Sequence, residues 1–232
     1  MIAGLATQMP DAQAAPRPAT PRTRATGTRQ YRLVEAETPE ARAELEAFIA
    51  ERYEHAYGAR IHSFMPRLYA LVGDDGRPLA AFGLRDAASE PLFLETYLEQ
   101  PIEQTIGERR SVALSRHEIV EVGNLAGRHG GALRVLILQL GILLQNMGYR
   151  WLVFTGHKQL INGFARLDVE LVEFAAARIE CIPQPLRSDW GRYYDDGPVV
   201  IGADISAGRA HLLAHPELLR RALPPTISGD AA

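Results

Sequence analysis

The stretch from Arg116 to Thr155 restricts the fold more than any other part of the sequence. Arg116 to Leu125 reads as a strand, and Gly127, Gly130 and Gly131 end it. From Ala132 to Met147 the residues Leu133, Leu136, Ile137, Leu140, Leu144 and Met147 recur at helical spacing. Gln139, Gly141 and Gln145 interrupt this run well short of the ~20 apolar residues a membrane span needs, so it is a buried core helix. After Gly148, the unbroken apolar run Trp151-Leu152-Val153-Phe154-Thr155 is that of a strand covered on both faces. Strand, glycine-rich turn, buried helix and strand together predict a parallel pair at the centre of an α/β sheet.

The flanking segments supply the rest of the domain. Tyr31 to Ala36 reads as a first strand. Thr38 is a helix N-cap with Pro39 at the first helical position, and Gly58 stops that helix after Tyr57. Arg67 to Gly73 and Leu79 to Leu84 are apolar runs joined by Gly73-Asp74-Asp75-Gly76, a hairpin signal that makes them antiparallel neighbours. A single helical pattern follows Pro91 to Glu95, carries Tyr97, Leu98, Ile102 and Ile106, and fades near Gly107. Downstream come a helix from about Gln159 to Leu167, short strands Val169 to Phe174 and Pro198 to Gly202, and a terminal helix near His211 to Leu223. Residues 31–223 therefore form one domain, between a tail of residues 1–30 and a flexible C-terminus of residues 224–232. The tail is rich in Ala, Pro, Thr and Arg, reads as disordered, and lacks the apolar core of a secretory signal, which points to the cytoplasm.

Composition removes several classes of function. With 25 basic and 28 acidic residues the net charge is −3, unlike a protein that neutralises nucleic-acid phosphates. The one cysteine, Cys181, permits no intrachain disulfide and no Cys-rich metal site. The seven histidines show no metal-ligand spacing, and no Ser-His-Asp or Cys-His arrangement carries a local signature.

Chemistry is best placed at the turn Leu125-Ala126-Gly127-Arg128-His129-Gly130-Gly131-Ala132. A glycine-rich turn opening a long helix offers backbone N–H groups and the positive end of a helix dipole to a phosphate or pyrophosphate. Neither the dinucleotide nor the P-loop spacing is present. The plainer reading is glycine used for backbone geometry alone.

The order strand, glycine-rich turn, helix, strand and short helix with Asn162 resembles the acetyl-coenzyme A binding core of the GNAT superfamily. That resemblance implies a mixed, mostly antiparallel sheet with a parallel central pair, flanked by helices, and a turn that cradles the pyrophosphate. GNAT loops open with Arg or Gln; here Gly127 stands at that place and Arg128 follows one position later. A narrower resemblance, to the thermostable hemolysin family, rests on Arg52-x-Tyr-x-x-x-Tyr57 with Phe64-x-Pro66, on Leu92-Phe-Leu-Glu-x-Tyr-Leu98 with Pro101-Ile-Glu103, and on Ile119-Val-Glu-Val-Gly-Asn-Leu-Ala126. Phe154-Thr155 with Asn162, and Trp190-Gly-x-Tyr-Tyr194 with Pro198, complete it. The arrangement also looks like acyl-homoserine-lactone synthases, GNAT-fold enzymes that draw acyl groups from an acyl carrier protein or coenzyme A. Those enzymes carry aromatic and Arg residues in a mobile N-terminal segment and carboxylates on the sheet. By that likeness Arg52, Tyr53, Tyr57 and Phe64, with Glu95 and Glu121, stand at comparable places.

Acyl transfer to an amine needs a neutral amine, a polarised thioester carbonyl and a proton for the leaving thiol. Glu121, just before the turn, is the candidate base. Glu95 follows Phe93-Leu94 in an apolar setting that raises its pKa or lets it hold an ammonium. Asn124 and Thr155 are candidate substrate contacts, and Tyr194 is a phenol for the thiolate. Plainer roles are a salt-bridged strand carboxylate for Glu121, a turn former for Asn124 and packing for Tyr193 and Tyr194. Should a carrier protein be the donor, Arg109, Arg110, Arg116 and Arg128 are the candidate basic patch. The expected activity is transfer of an acyl group from coenzyme A or a carrier protein to a small amine, without a metal. The alternatives are a non-catalytic GNAT-like binding module and, from the family name, a membrane-damaging protein, although no strongly cationic amphipathic helix supports the last.

Overall fold

The computed structural model describes residues 31–165 and 169–215. Thr38 caps α1 (Pro39–Tyr57), its hydroxyl accepting from the Ala41 N–H at 3.2 Å, and Gly58 ends the helix in the left-handed conformation at φ 66°. Strand β1 (Arg32–Glu35) precedes α1, and β2 (Arg67–Val72) and β3 (Pro78–Asp86) form the expected hairpin. Then follow α2 (Ile102–Arg110), β4 (Ile119–Gly127), α3 (Gly130–Asn146), β5 (Trp151–Gly156), α4 (Lys158–Ala165), β6 (Val172–Ala176), β7 (Val199–Asp204) and α5 (Ile205–Ala214).

These strands make one seven-stranded sheet in the order β1-β2-β3-β4-β5-β7-β6. Every neighbouring pair is antiparallel except β4–β5, the parallel pair predicted from the crossover. Side chains alternate across each strand and sort the core into layers. Val120, Val122, Leu152 and Phe154 meet Leu136, Ile137 and Leu140 of α3 on one face. On the other, α1 covers β2 to β4 through Leu45, Phe48 and Ile49. Beside it, Leu94, Ile102 and Ile106 cover Ile119, Trp151 and Val153.

Three boundaries differ from expectation for identifiable reasons. The pattern carrying Tyr97, Leu98, Ile102 and Ile106 is not one helix: a 3₁₀ turn, Phe93–Tyr97, gives way to extended Leu98 before α2 begins. Pro101 forces the break, because it cannot donate to the preceding turn and its ring excludes helical backbone before it. Residues Arg116–Glu118 form a 3₁₀ turn ahead of β4 rather than its first residues. The last helix starts at Ile205, where Asp204 caps it by accepting from the Ser206 and Ala207 N–H groups at 2.8 and 3.2 Å. Residues 1–30, 166–168 and 216–232, including the expected tails, lie outside the described residues.

Candidate active site

The site is built around a defect in β4. Ala81 faces Ala126 and Gly83 faces Gly123, so Phe82 alone stands opposite Asn124 and Leu125. This is a bulge of one extra residue, with Asn124 at φ 51°, a left-handed conformation asparagine tolerates better than most residues. The Asn124 Oδ1 accepts from the Met65 N–H at 2.7 Å. A Cβ on Gly83 would lie 2.3 Å from Met65 Cβ, and one on Gly123 2.1 Å from its Cε, so the two glycines leave the space Met65 occupies. The loop before Pro66, which carries Phe64, is thereby fastened over the bulge.

The bulge also ends the parallel pairing. β4 and β5 are in register from Ile119↔Trp151 to Val122↔Phe154, after which both strands continue unpaired with each other. Two spaces open where they part. A cavity of about 250 Å³ is lined by Glu121, Gly123, Phe64 and Phe93 on the α1 face and by Ile137, Leu140 and Phe164 on the α3 face. It passes through the sheet. A larger cleft, about 1140 Å³, runs along Leu125, Ala126 and Gly127 and the starts of α3 and α4, and shares Tyr53, Thr155 and Tyr193 with the cavity.

Glu121 is the buried carboxylate of this cavity wall, 2% exposed, whereas Asp189 lines it from a more open position. Its oxygens accept from the Phe93 N–H at 2.8 Å and the Leu94 N–H at 3.0 Å. Burial pushes its pKa up to about 7 against the pull of those N–H groups and of Arg85. The folded protein then keeps a proton that the unfolded chain releases near 4.5, so stability falls as pH rises from about 4.5 to about 7. Relative to Glu121→Gln, the wild type is expected to lose up to about 3 kcal/mol across that window in urea melts. A pH-independent difference between the two would show that the carboxylate titrates normally.

The cleft has the character of an anion site. Helices α3 and α4 both start at it, and the N–H groups of a first helical turn lack intrahelical partners. His129 caps the Ala132 N–H through Nδ1 at 3.1 Å; Gly130 and Gly131 form the first turn. Arg52, whose buried Nε has no hydrogen-bond partner, and the exposed Lys158 and Arg192 add positive charge, with Asp195 and Asp196 on the same wall. Asn162 and Tyr57 also line the cleft.

Most of the residues singled out from sequence converge here, but Glu95, Tyr194, Arg128 and the buried Ala132 line neither space. Burial would raise the Glu95 pKa, yet hydrogen bonds from Arg116 and from the Ile102 and Leu92 N–H groups outweigh it, so the net shift is downward rather than upward as expected. The Tyr194 hydroxyl is paired with that of Tyr97 at 2.5 Å, and burial raises its pKa; its neighbour Tyr193 is the one that reaches the site. Arg128 donates to the Pro78 carbonyl at 2.8 Å and lies over the Phe48 ring, turned away from the pyrophosphate position implied by the GNAT resemblance. Of the four arginines named for a carrier-protein patch, Arg110 pairs with Glu170, and Arg116 with Glu95 and Glu103.

The sequence reading missed Arg85 and Lys158. Arg85 faces Glu121 across β3–β4 and lines the cavity, which only strand register reveals. Lys158 is the chain's single lysine, a signal the sequence does carry.

A mixed sheet parting at one parallel pair, with a buried carboxylate beside the gap, defines a GNAT-like fold, and solved structures agree. FeeM, an N-acyl amino acid synthase from uncultured soil microbes, superposes with a TM-score of 0.56 at 12% identity, covering 82% of this chain and 98% of that one. BjaI, a CoA-dependent acyl-homoserine lactone synthase with SAM and isopentyl-CoA, gives 0.54 at 11% identity, covering 85% and 91%. TofI, in a ternary complex with an inhibitor and MTA, gives 0.52 at 15% identity, covering 82% and 99%. No curated protein sequence matches. The family model described as thermostable hemolysin matches residues 35–209, and the chain belongs to that family. Among the described residues no helix is long and apolar enough to cross a membrane.

Proposed function

We propose that this protein transfers an acyl group from a thioester, carried by coenzyme A or an acyl carrier protein, to a small amine. The observation that carries the reading is the cavity through the β4–β5 gap, with Glu121 on one side and an apolar wall on the other. The donor's phosphates lie in the cleft against the starts of α3 and α4, with Arg52 and Lys158 beside them. Its pantetheine arm runs along Leu125–Gly127 toward the gap, past Thr155 and Asn162. The acyl tail enters the apolar part beside Ile137, Leu140 and Phe164.

The amine reaches the thioester from the Glu121 side. Glu121, ionised above about pH 7, takes a proton from the incoming ammonium, directly or through water. The neutral amine attacks the carbonyl carbon, a C–N bond forms, the C–S bond breaks, and the second amine proton leaves with the thiol. Glu95, Asn124 and Tyr194 act at one remove: the first locks Arg116 and the turn bearing Phe93 and Leu94, the second holds Met65, and the third braces Tyr97. Related chemistry in neighbours supports the reading, since BjaI is a CoA-dependent acyl-homoserine lactone synthase and FeeM an N-acyl amino acid synthase.

A thermal-shift titration with acyl-coenzyme A thioesters of increasing length tests the donor half. Burial of each methylene contributes about 0.8 kcal/mol, so affinity is expected to rise about fourfold per carbon until the apolar pocket is filled. Equal shifts with coenzyme A and its long-chain thioesters would remove the acyl pocket. No shift with any of them would leave a carrier-protein donor or a non-catalytic module.

A further inference from the structure

We infer that the acceptor is an α-amino acid with an apolar side chain, its carboxylate held by Arg85 while its amine faces Glu121. This rests on the acyl-transfer reading of the same cavity. Arg85 is the cross-strand partner of Glu121, so the two side chains leave the sheet on the same face, with Cβ atoms about 5 Å apart. Both side chains line the same cavity, so one ligand can meet a cation and a carboxylate there.

The charge arrangement in the cavity supports this use of Arg85. Glu121 spends its oxygens on the Phe93 and Leu94 N–H groups and forms no hydrogen bond with the guanidinium. The Arg85 Nε is buried without a hydrogen-bond partner. Among the described residues the acid ion-paired with it is exposed Glu90, 3.4 Å away and outside hydrogen-bond geometry, and Glu121 acts on it through charge alone. An arginine whose side chain is only 17% exposed and whose guanidinium is incompletely partnered lines a cavity, and a planar carboxylate is the group its fork fits best. Phe93 and Trp190, stacked 5.8 Å apart, and Ile182 line the same space and suit an apolar acceptor side chain.

The test uses the full chain, decanoyl-coenzyme A and four acceptors: leucine, phenylalanine, isopentylamine and phenethylamine. Wild-type kcat/KM is expected to favour each amino acid over its decarboxylated analogue on the order of 10²-fold. In Arg85→Met that ratio should collapse toward one, and Arg85→Lys, which keeps the charge, should be intermediate. A role confined to balancing Glu121 would lower both acceptors together and leave the ratio unmoved, which overturns the inference. A wild type indifferent to the carboxylate also overturns it. If the thioester binds but no amino acid is acylated, this inference falls and the donor reading stands. If no thioester binds, coenzyme A falls as the donor, and calorimetric titration with leucine decides the acceptor site: binding lost in Arg85→Met supports the carboxylate site, and absent binding removes it.

Discussion

Glu121→Gln is expected to lower acyl transfer by roughly 10²–10⁴-fold, the range for removal of a positioned general base. Donor binding, read by thermal shift, should stay close to wild type, because Glu121 lies outside the cleft where the phosphates are placed. The pH profile gives the sharper readout. A base whose pKa is pushed up to about 7 is protonated and inactive below that value, so wild-type kcat/KM should rise through pH 7 and level off above it. The variant should show no such inflection. Turnover by Glu121→Gln at the wild-type rate would remove Glu121 from the chemistry.

The second large effect is structural. Gly191 sits at φ 52° and ψ −122°, a region essentially closed to residues with a Cβ. An added Cβ would lie 2.4 Å from the Tyr57 carbonyl oxygen and 2.7 Å from the Gly58 carbonyl, all backbone atoms at the end of α1. The surrounding segment is stitched to the same place: Arg192 N–H donates to Tyr57 O at 2.8 Å and Arg60 N–H to Asp189 O at 2.6 Å. Gly191→Ala should therefore cost about 3–5 kcal/mol in urea unfolding and loosen the Tyr53, Tyr57 and Tyr193 ring cluster that walls the cleft. A loss under about 0.5 kcal/mol would show that the segment shifts freely away from α1.

The architecture was legible because its signals are local. The glycines after β4, the spacing in α3 and the apolar run of β5 each report on a short window, and together they required the parallel pair. Thr38, Pro39 and Gly58 bounded α1 for the same reason. The site was less legible because its contacts are not local. Arg85 meets Glu121 through strand register. Glu95 looked like a residue in an apolar patch until Arg116, 21 positions away, closed on it. Tyr193 and Tyr194 differ by one residue, and only the turn's orientation sends one to the cavity and the other to Tyr97. The Asn124 bulge shows both sides: the asparagine beside a glycine was visible, but its bond to Met65, 59 positions away, was not.

The passage through the sheet divides the molecule's inheritance in two. The cleft side draws largely on one uninterrupted piece of chain, from β4 through α4. The opposite mouth is assembled from separate stretches around Arg60–Met65, Arg85–Thr96 and Ile182–Tyr193, each a loop or strand end that can be altered alone. One side of the passage can thus be reshaped by changes that leave the other untouched, as an exchangeable socket on a constant handle.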